Sequence, residues 1–117
     1  MTDIYVGVDV SKDWIDIFHP EHGALRLHQT PEALAKWAQD IDKPKLLVVF
    51  EATGSYDLPL REALENAGIS YHRANPARAR DFARAVGIIG KTDRVDARCL
   101  ERMGRQLYHG PFKMTHV

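Results

Sequence analysis

The chain has 117 residues, 44% apolar and 27% charged, which fits one soluble globular domain and excludes a disordered chain. Its single cysteine, Cys99, excludes a disulfide framework within the chain and a cysteine-built zinc site. The formal net charge is zero but uneven: residues 1–70 carry six Lys/Arg against twelve Asp/Glu (net −6), and residues 71–105 carry nine against four (net +5).

Residues 4–9 form a short apolar, β-branched run that ends on Asp9, as a buried strand would. Residues 14–18 read as a second strand, with a turn cluster at 19–23. Residues 24–28 alternate apolar and polar, as a strand with one wet face does. Thr30 and Pro31 open a helix whose apolar face is Leu34, Trp37, Ala38 and Ile41. Residues 45–50 read as a strand, apolar from Leu46 onward, that ends on Glu51. A turn at 52–55 leads into a helix to about residue 66, with Gly68 as its stop. Residues 69–73 read as the fifth strand. Asn75 and Pro76 open a helix carrying Arg78, Arg80 and Arg84, and a last helix is expected from Thr92 to about Leu107. Trp14 and Trp37 read as core. Residues 1–107 are expected to form one domain, and residues 108–117 an unpatterned tail.

The order βββαβαβαα predicts an α/β fold with a mixed five-stranded sheet in the order 3-2-1-4-5 and flanking helices. That arrangement is the ribonuclease-H-like (RuvC-like) one. It makes the first and fourth strands parallel neighbours, so Asp9 and Glu51 come to the same sheet edge, where ligands of α/β sheets bind. Asp93 and Asp96, spaced i, i+3, would share one side of the last helix. Helix capping is the competing explanation, with Asp93 as the N-cap and Asp96 as a first-turn acid. Four carboxylates are a donor set that suits two hard divalent ions in phosphodiester cleavage.

The arginine-rich segment 71–105 suits a polyanion, because arginine's planar fork matches phosphates and base edges. Arg78, Arg80 and Arg84 are candidates for a backbone track, and Lys91 and Arg94 for phosphate clamps or charge balance. Arg98, Arg102 and Arg105 share one side of the last helix and face either nucleic acid or an interface. Thr53 and Gly54 form either an ordinary turn or a phosphate approach. Ser11 and Ser55 lack a histidine placed to activate them, and the six histidines form no metal-binding pair. The longest aliphatic/aromatic run, residues 46–50, is far short of the roughly 18 residues that span a bilayer. The acidic N-terminus does not read as a signal peptide, so the expected compartment is the cytoplasm.

The segments 6–12 (VGVDVSK), 50–56 (FEATGSY) and 90–97 (GKTDRVDA) resemble the DEDD transposases of the "IS one-ten" insertion-sequence family, which are related to the Piv/MooV invertases. The resemblance runs from about residue 4 to residue 105. It implies that Asp9, Glu51, Asp93 and Asp96 are the catalytic, metal-binding tetrad, similar to the acids of RuvC-type Holliday-junction resolvases. Mg²⁺ or Mn²⁺ would be the cofactor and DNA the substrate. It also implies a structured guide RNA. Members of that family are much longer and carry a C-terminal domain with a serine implicated in strand cleavage. The chain is therefore expected to be the N-terminal catalytic domain, incomplete alone, with a homo-oligomer as a further expectation. A RuvC-like structure-specific nuclease and a non-catalytic nucleic-acid-binding module are the alternatives on the same fold.

Overall fold

The computed structural model describes residues 3–42, 45–90 and 95–108. Strands β1 (Ile4–Val10), β2 (Trp14–His19) and β3 (Gly23–His28) form an antiparallel meander. Then come α1 (Pro31–Asp40), β4 (Leu46–Glu51), α2 (Leu58–Asn66), β5 (Ser70–Ala74), α3 (Pro76–Ala85) and α4 (Ala97–Leu107). The sheet order is β3-β2-β1-β4-β5, and β4 runs parallel to both β1 and β5. This α/β arrangement is the expected one and is that of a ribonuclease-H-like fold.

Strand alternation divides the interior into two cores. Val6, Val8 and Val10 of β1, with Val48 and Phe50 of β4, pack against Leu34 of α1 and Leu60 and Leu64 of α2. On the opposite face Tyr5, Leu47 and Val49 pack against Ala79 and Ala83 of α3 and Leu100 and Met103 of α4. Gly7, Asp9 and Glu51 have the parity of this second face, so they lie on the α4 side of the sheet.

Local chemistry fixes the helix ends. Thr30 caps α1 through Oγ1, which accepts from Ala33 N–H at 3.2 Å, and Asn75 caps α3 by accepting from Ala77 and Arg78 N–H. Gly68, at φ 72°, follows α2 in a left-handed conformation that other residues adopt at a cost.

Two expectations are corrected. The last helix begins at Ala97, not Thr92, because Asp96 is extended (φ −109°, ψ −177°) and caps it: Cys99 N–H donates to Asp96 Oδ1 at 3.0 Å. Trp14 is not core. It is 37% exposed on the pair formed with edge strand β3, its ring 4.5 Å from that of His28 and 5.2 Å from the Arg26 guanidinium. Trp37, by contrast, packs partly buried against the first core. Residues 109–117, which belong to the expected tail, lie outside the described residues. Among the described residues no helix is long and apolar enough to cross a membrane.

Candidate active site

The β1–β4 ladder runs from Ile4 opposite Leu46 to Val8 opposite Phe50. One residue further along each strand the same register brings Asp9 beside Glu51. Parallel neighbours lie about 4.8 Å apart, so the two carboxylates leave the sheet side by side on the α4 face. Both are partly buried, and each makes contacts within the protein.

Asp96 reaches the same neighbourhood because α4 sits unusually close to β1. A Cβ on Gly7 would lie 1.8 Å from the Ala97 carbonyl oxygen and 2.6 Å from Glu101 N. Only glycine admits that approach. Asp9, Asp96, Ala97 and Arg98 then line one cleft of about 440 Å³, together with Asp16, Phe18 and Arg26. Glu51 does not line it but stands one strand away on the same face.

The cleft holds two pairings that no local sequence pattern singles out. Asp16 lies directly across the β1–β2 ladder from Asp9, and Arg26 holds it bidentately: Nε donates to Oδ1 at 2.7 Å and Nη2 to Oδ2 at 3.1 Å. The hydrogen bond and charge of Asp16, with Asp9 adding to them, raise the Arg26 pKa. The sequence offers a signal only once the hairpin turn between β2 and β3 is placed, since Asp16 and Arg26 are equidistant from it. On the helix side the Arg98 guanidinium sits 4.7 Å from the Phe18 ring centroid.

Below Glu51 the turn is fixed by a buried acid. Asp57 is 0% exposed and accepts from Arg61 Nε at 3.0 Å, Arg73 Nε at 2.9 Å and Thr53 N–H at 3.1 Å. Arg73 Nη2 also donates to the Gly54 carbonyl at 3.2 Å. The Thr53 amide is therefore committed to Asp57, and Gly54 (φ 63°) serves the turn. Ser11 Oγ donates to the Trp14 carbonyl at 2.9 Å, closing the β1–β2 turn.

The remaining expected residues divide as follows. Asp93, Lys91 and Arg94 lie outside the described residues. Among the described residues no group of three or more His, Cys, Asp or Glu is gathered so as to hold a metal ion. Arg78 and Arg84 are exposed on α3 and Arg80 is partly buried. At 3.6 residues per turn Arg80 and Arg84 share a flank of α3, while Arg78 projects from the other. On that second flank Arg78 lines a cleft with His72, Arg73 and Tyr108, the Tyr108 ring 4.2 Å from that of His72. Arg102 is bonded to Gln106 and Arg105 to Glu101.

Residues 6–115 match the IS110-type DEDD transposase family. The chain is also 30% identical over 116 residues to the pilin gene-inverting protein of Moraxella bovis, covering 89% of this chain and 35% of that protein. The same figures hold for the pilin gene-inverting protein of Moraxella lacunata. The chain thus spans about a third of the length of the curated relatives it matches. With nearly all of its length inside the family match, the chain belongs to the DEDD transposase family of IS110 type.

Proposed function

We propose that this chain is the metal-dependent catalytic domain of a transposase or site-specific recombinase that cleaves and transfers DNA strands. The observation that carries the reading is the alignment of Asp9 with Glu51 at the carboxyl ends of adjacent parallel strands, in a domain of this family. Two acids at the ends of core strands must stay hydrated, take up protons or meet a cation. The relatives' name, which speaks of inverting a gene, supports DNA as the substrate.

By chemistry Asp9, Glu51 and Asp96 suit a hard divalent cation, since they offer only carboxylate oxygens, but the three are not gathered within reach of one ion, and Asp93 adds a fourth acid by sequence alone. When bound, Mg²⁺ or Mn²⁺ would supply activation of the attacking oxygen and stabilisation of the leaving one. The chain's own groups do the rest. Gly7 lets α4 close on the sheet and hold Asp96 over the cleft shared with Asp9. Asp57 and its two arginines hold rigid the turn that follows Glu51. Arg78, Arg80 and Arg84 of α3, with Lys91 and Arg94 by sequence, are the candidate contacts to phosphates. A structured RNA and a serine-bearing C-terminal domain are further partners carried by the family resemblance.

Titration of the chain with Mn²⁺, followed by paramagnetic resonance, together with a DNA-nicking assay, tests the reading. Wild type binds the ion, and nicks DNA once the serine-bearing C-terminal domain is supplied, while Asp9→Asn and Glu51→Gln keep the fold and lose both. A wild type that binds no divalent ion beyond an ionic-strength control overturns the metal site. A RuvC-like structure-specific nuclease is distinguished by cleavage of branched DNA in preference to linear duplex.

A further inference from the structure

Three arginines project from one side of α4, and the structure separates them. Arg105 Nε donates to the buried carboxylate of Glu101 at 2.7 Å, and Arg102 Nε to Gln106 at 3.0 Å. Arg98 forms no ion pair among the described residues; its guanidinium lies on the Phe18 ring, facing the cleft that Asp9 and Asp96 line. The other arginine of that cleft, Arg26, is neutralised by Asp16.

Arg98 also breaks a local rule. It is the second residue of α4, where the helix dipole disfavours a cation. A residue that violates local preference without an ionic partner points to function. The stacking explains how it is held. One face of the guanidinium rests on Phe18, which restricts the side chain, while the donors around its edge stay in the plane and accessible. A lysine could supply the charge but neither the stack nor the fork.

We propose that Arg98, laid on Phe18, binds a phosphate of the DNA strand entering the acid-bearing cleft and so sets the position of that strand against Asp9. The inference rests on the reading of the cleft as a DNA-cleaving site. Phe18 acts through Arg98 as a positioning residue. The strand would pass between the α4 N-terminus and the β2–β3 hairpin, the two walls of the cleft.

The test is fluorescence anisotropy of a labelled DNA duplex titrated with the 117-residue chain across a salt series, in EDTA so that no metal-dependent step intervenes. Arg98→Gln is expected to weaken binding about 10- to 100-fold, the range of a charge-assisted hydrogen bond. It should also reduce the salt slope by about one phosphate contact. Phe18→Leu and Arg98→Lys keep the charge, so they should lose affinity while retaining the slope; a role of charge alone would leave Phe18→Leu silent. Lys36→Gln, on α1 across the sheet, should match wild type. Melting curves identify any variant that is misfolded, and the two charge-preserving variants then decide the outcome. Wild-type affinity and slope in Arg98→Gln, with wild type binding DNA, overturn this inference and leave the catalytic reading standing. Failure of the wild type to bind DNA at low salt overturns this inference, while the metal titration decides the catalytic reading separately.

Discussion

A Cβ placed on Gly7 would meet the carbonyl oxygen of Ala97 at 1.8 Å, so the first turn of α4 rests directly on the backbone of β1. The contact is backbone on backbone, and no side-chain rotation can relieve it. The position of Asp96 over the sheet follows from this contact, since Asp96 immediately precedes Ala97 and caps the helix. One residue without a side chain thereby couples the strand bearing Asp9 to the helix cap.

Gly7→Ala is therefore expected to destabilise the domain by at least the roughly 1–3 kcal/mol typical of overpacking. Gly104→Ala should cost less, because its Cβ would meet the side chains of Val49 (2.9 Å) and Tyr5 (3.0 Å), which can shift. Val49→Ala in the Gly104→Ala background should restore part of the loss. Urea unfolding of the three variants checks this, and equal costs for the two glycines would contradict the backbone argument.

The turn after Glu51 depends on Asp57. Removing a partner from a buried ion pair leaves an uncompensated charge, at a cost of about 3–5 kcal/mol. Asp57→Ala strands Arg61 and Arg73 and frees the Thr53 amide, so a loss of that size is expected. Asp16→Asn, in a pair 58% and 38% exposed, should stay within about 1 kcal/mol of wild type. Chemical denaturation of both variants measures the difference, and an Asp57→Ala variant as stable as Asp16→Asn would show that the triad is not holding the turn.

The strands and their order were legible because alternation and β-branched runs report directly on burial, and the crossover rule leaves few ways to connect them. Asp9 and Glu51 were legible for the same reason, as acids that end otherwise apolar runs. The start of α4 was not. Asp93 and Asp96 both suit an N-cap, and periodicity cannot choose between two acids three residues apart; the close approach at Gly7 accompanies the choice of Asp96. Asp57 was hidden because one of its partners, Arg73, is sixteen residues away and comes near only once β4 and β5 pair. Trp14 misled because a large apolar residue in a strand suggests core, whereas strand β3 beside it is the sheet edge. Arg98 and Phe18 meet only across the packing of α4 on the sheet, which no local pattern encodes.

His19 is expected to give the domain a pH dependence. Its side chain is buried at the β2–β3 turn, where Nδ1 accepts from the Glu21 and His22 amides at 3.1 and 3.3 Å. Burial lowers its pKa below the usual histidine value, and the stacked His22 ring, 4.0 Å away, adds to the effect while Glu21 opposes it. Asp40 and Asp42 line the same cleft. The folded state thus binds its proton less readily than the unfolded state does. Stability is fully present above the unfolded value of about 6.5 and falls as pH drops from there through the lower folded value. His72, also lowered by burial, acts in the same direction. Urea midpoints should decline between about pH 7 and pH 5, and His19→Asn, which keeps an acceptor at the turn but does not titrate there, should flatten the decline. An unchanged pH profile in His19→Asn assigns the dependence elsewhere.

Asp96 has two roles to separate, helix cap and metal ligand, and the choice of substitution separates them. Asparagine caps as well as aspartate, but its neutral amide is a weaker ligand for a hard cation; alanine does neither. Mg²⁺ at about ten times its dissociation constant, binding only the folded state, adds roughly 1.4 kcal/mol, a rise in Tm on the order of 5–10 °C for a domain of this size. Mn²⁺ should act similarly, since it shares the preference for oxygen ligands. Without metal, Asp96→Asn should melt with wild type, whereas Asp96→Ala should lose about 1 kcal/mol. With metal, both should show a smaller rise than wild type. Glu51→Gln should leave the metal-dependent rise nearly absent. The measurement is thermal melts of wild type and the three variants in EDTA, Mg²⁺ or Mn²⁺, against an ionic-strength control. A full metal-dependent rise in Asp96→Asn would leave Asp96 as a cap alone, with Asp9 and Glu51 carrying the ion. Loss of the rise in Asp96→Asn with an unchanged metal-free Tm makes the same carboxylate both the start of α4 and a metal ligand, so that metal binding and the seating of the helix on Gly7 stabilise each other.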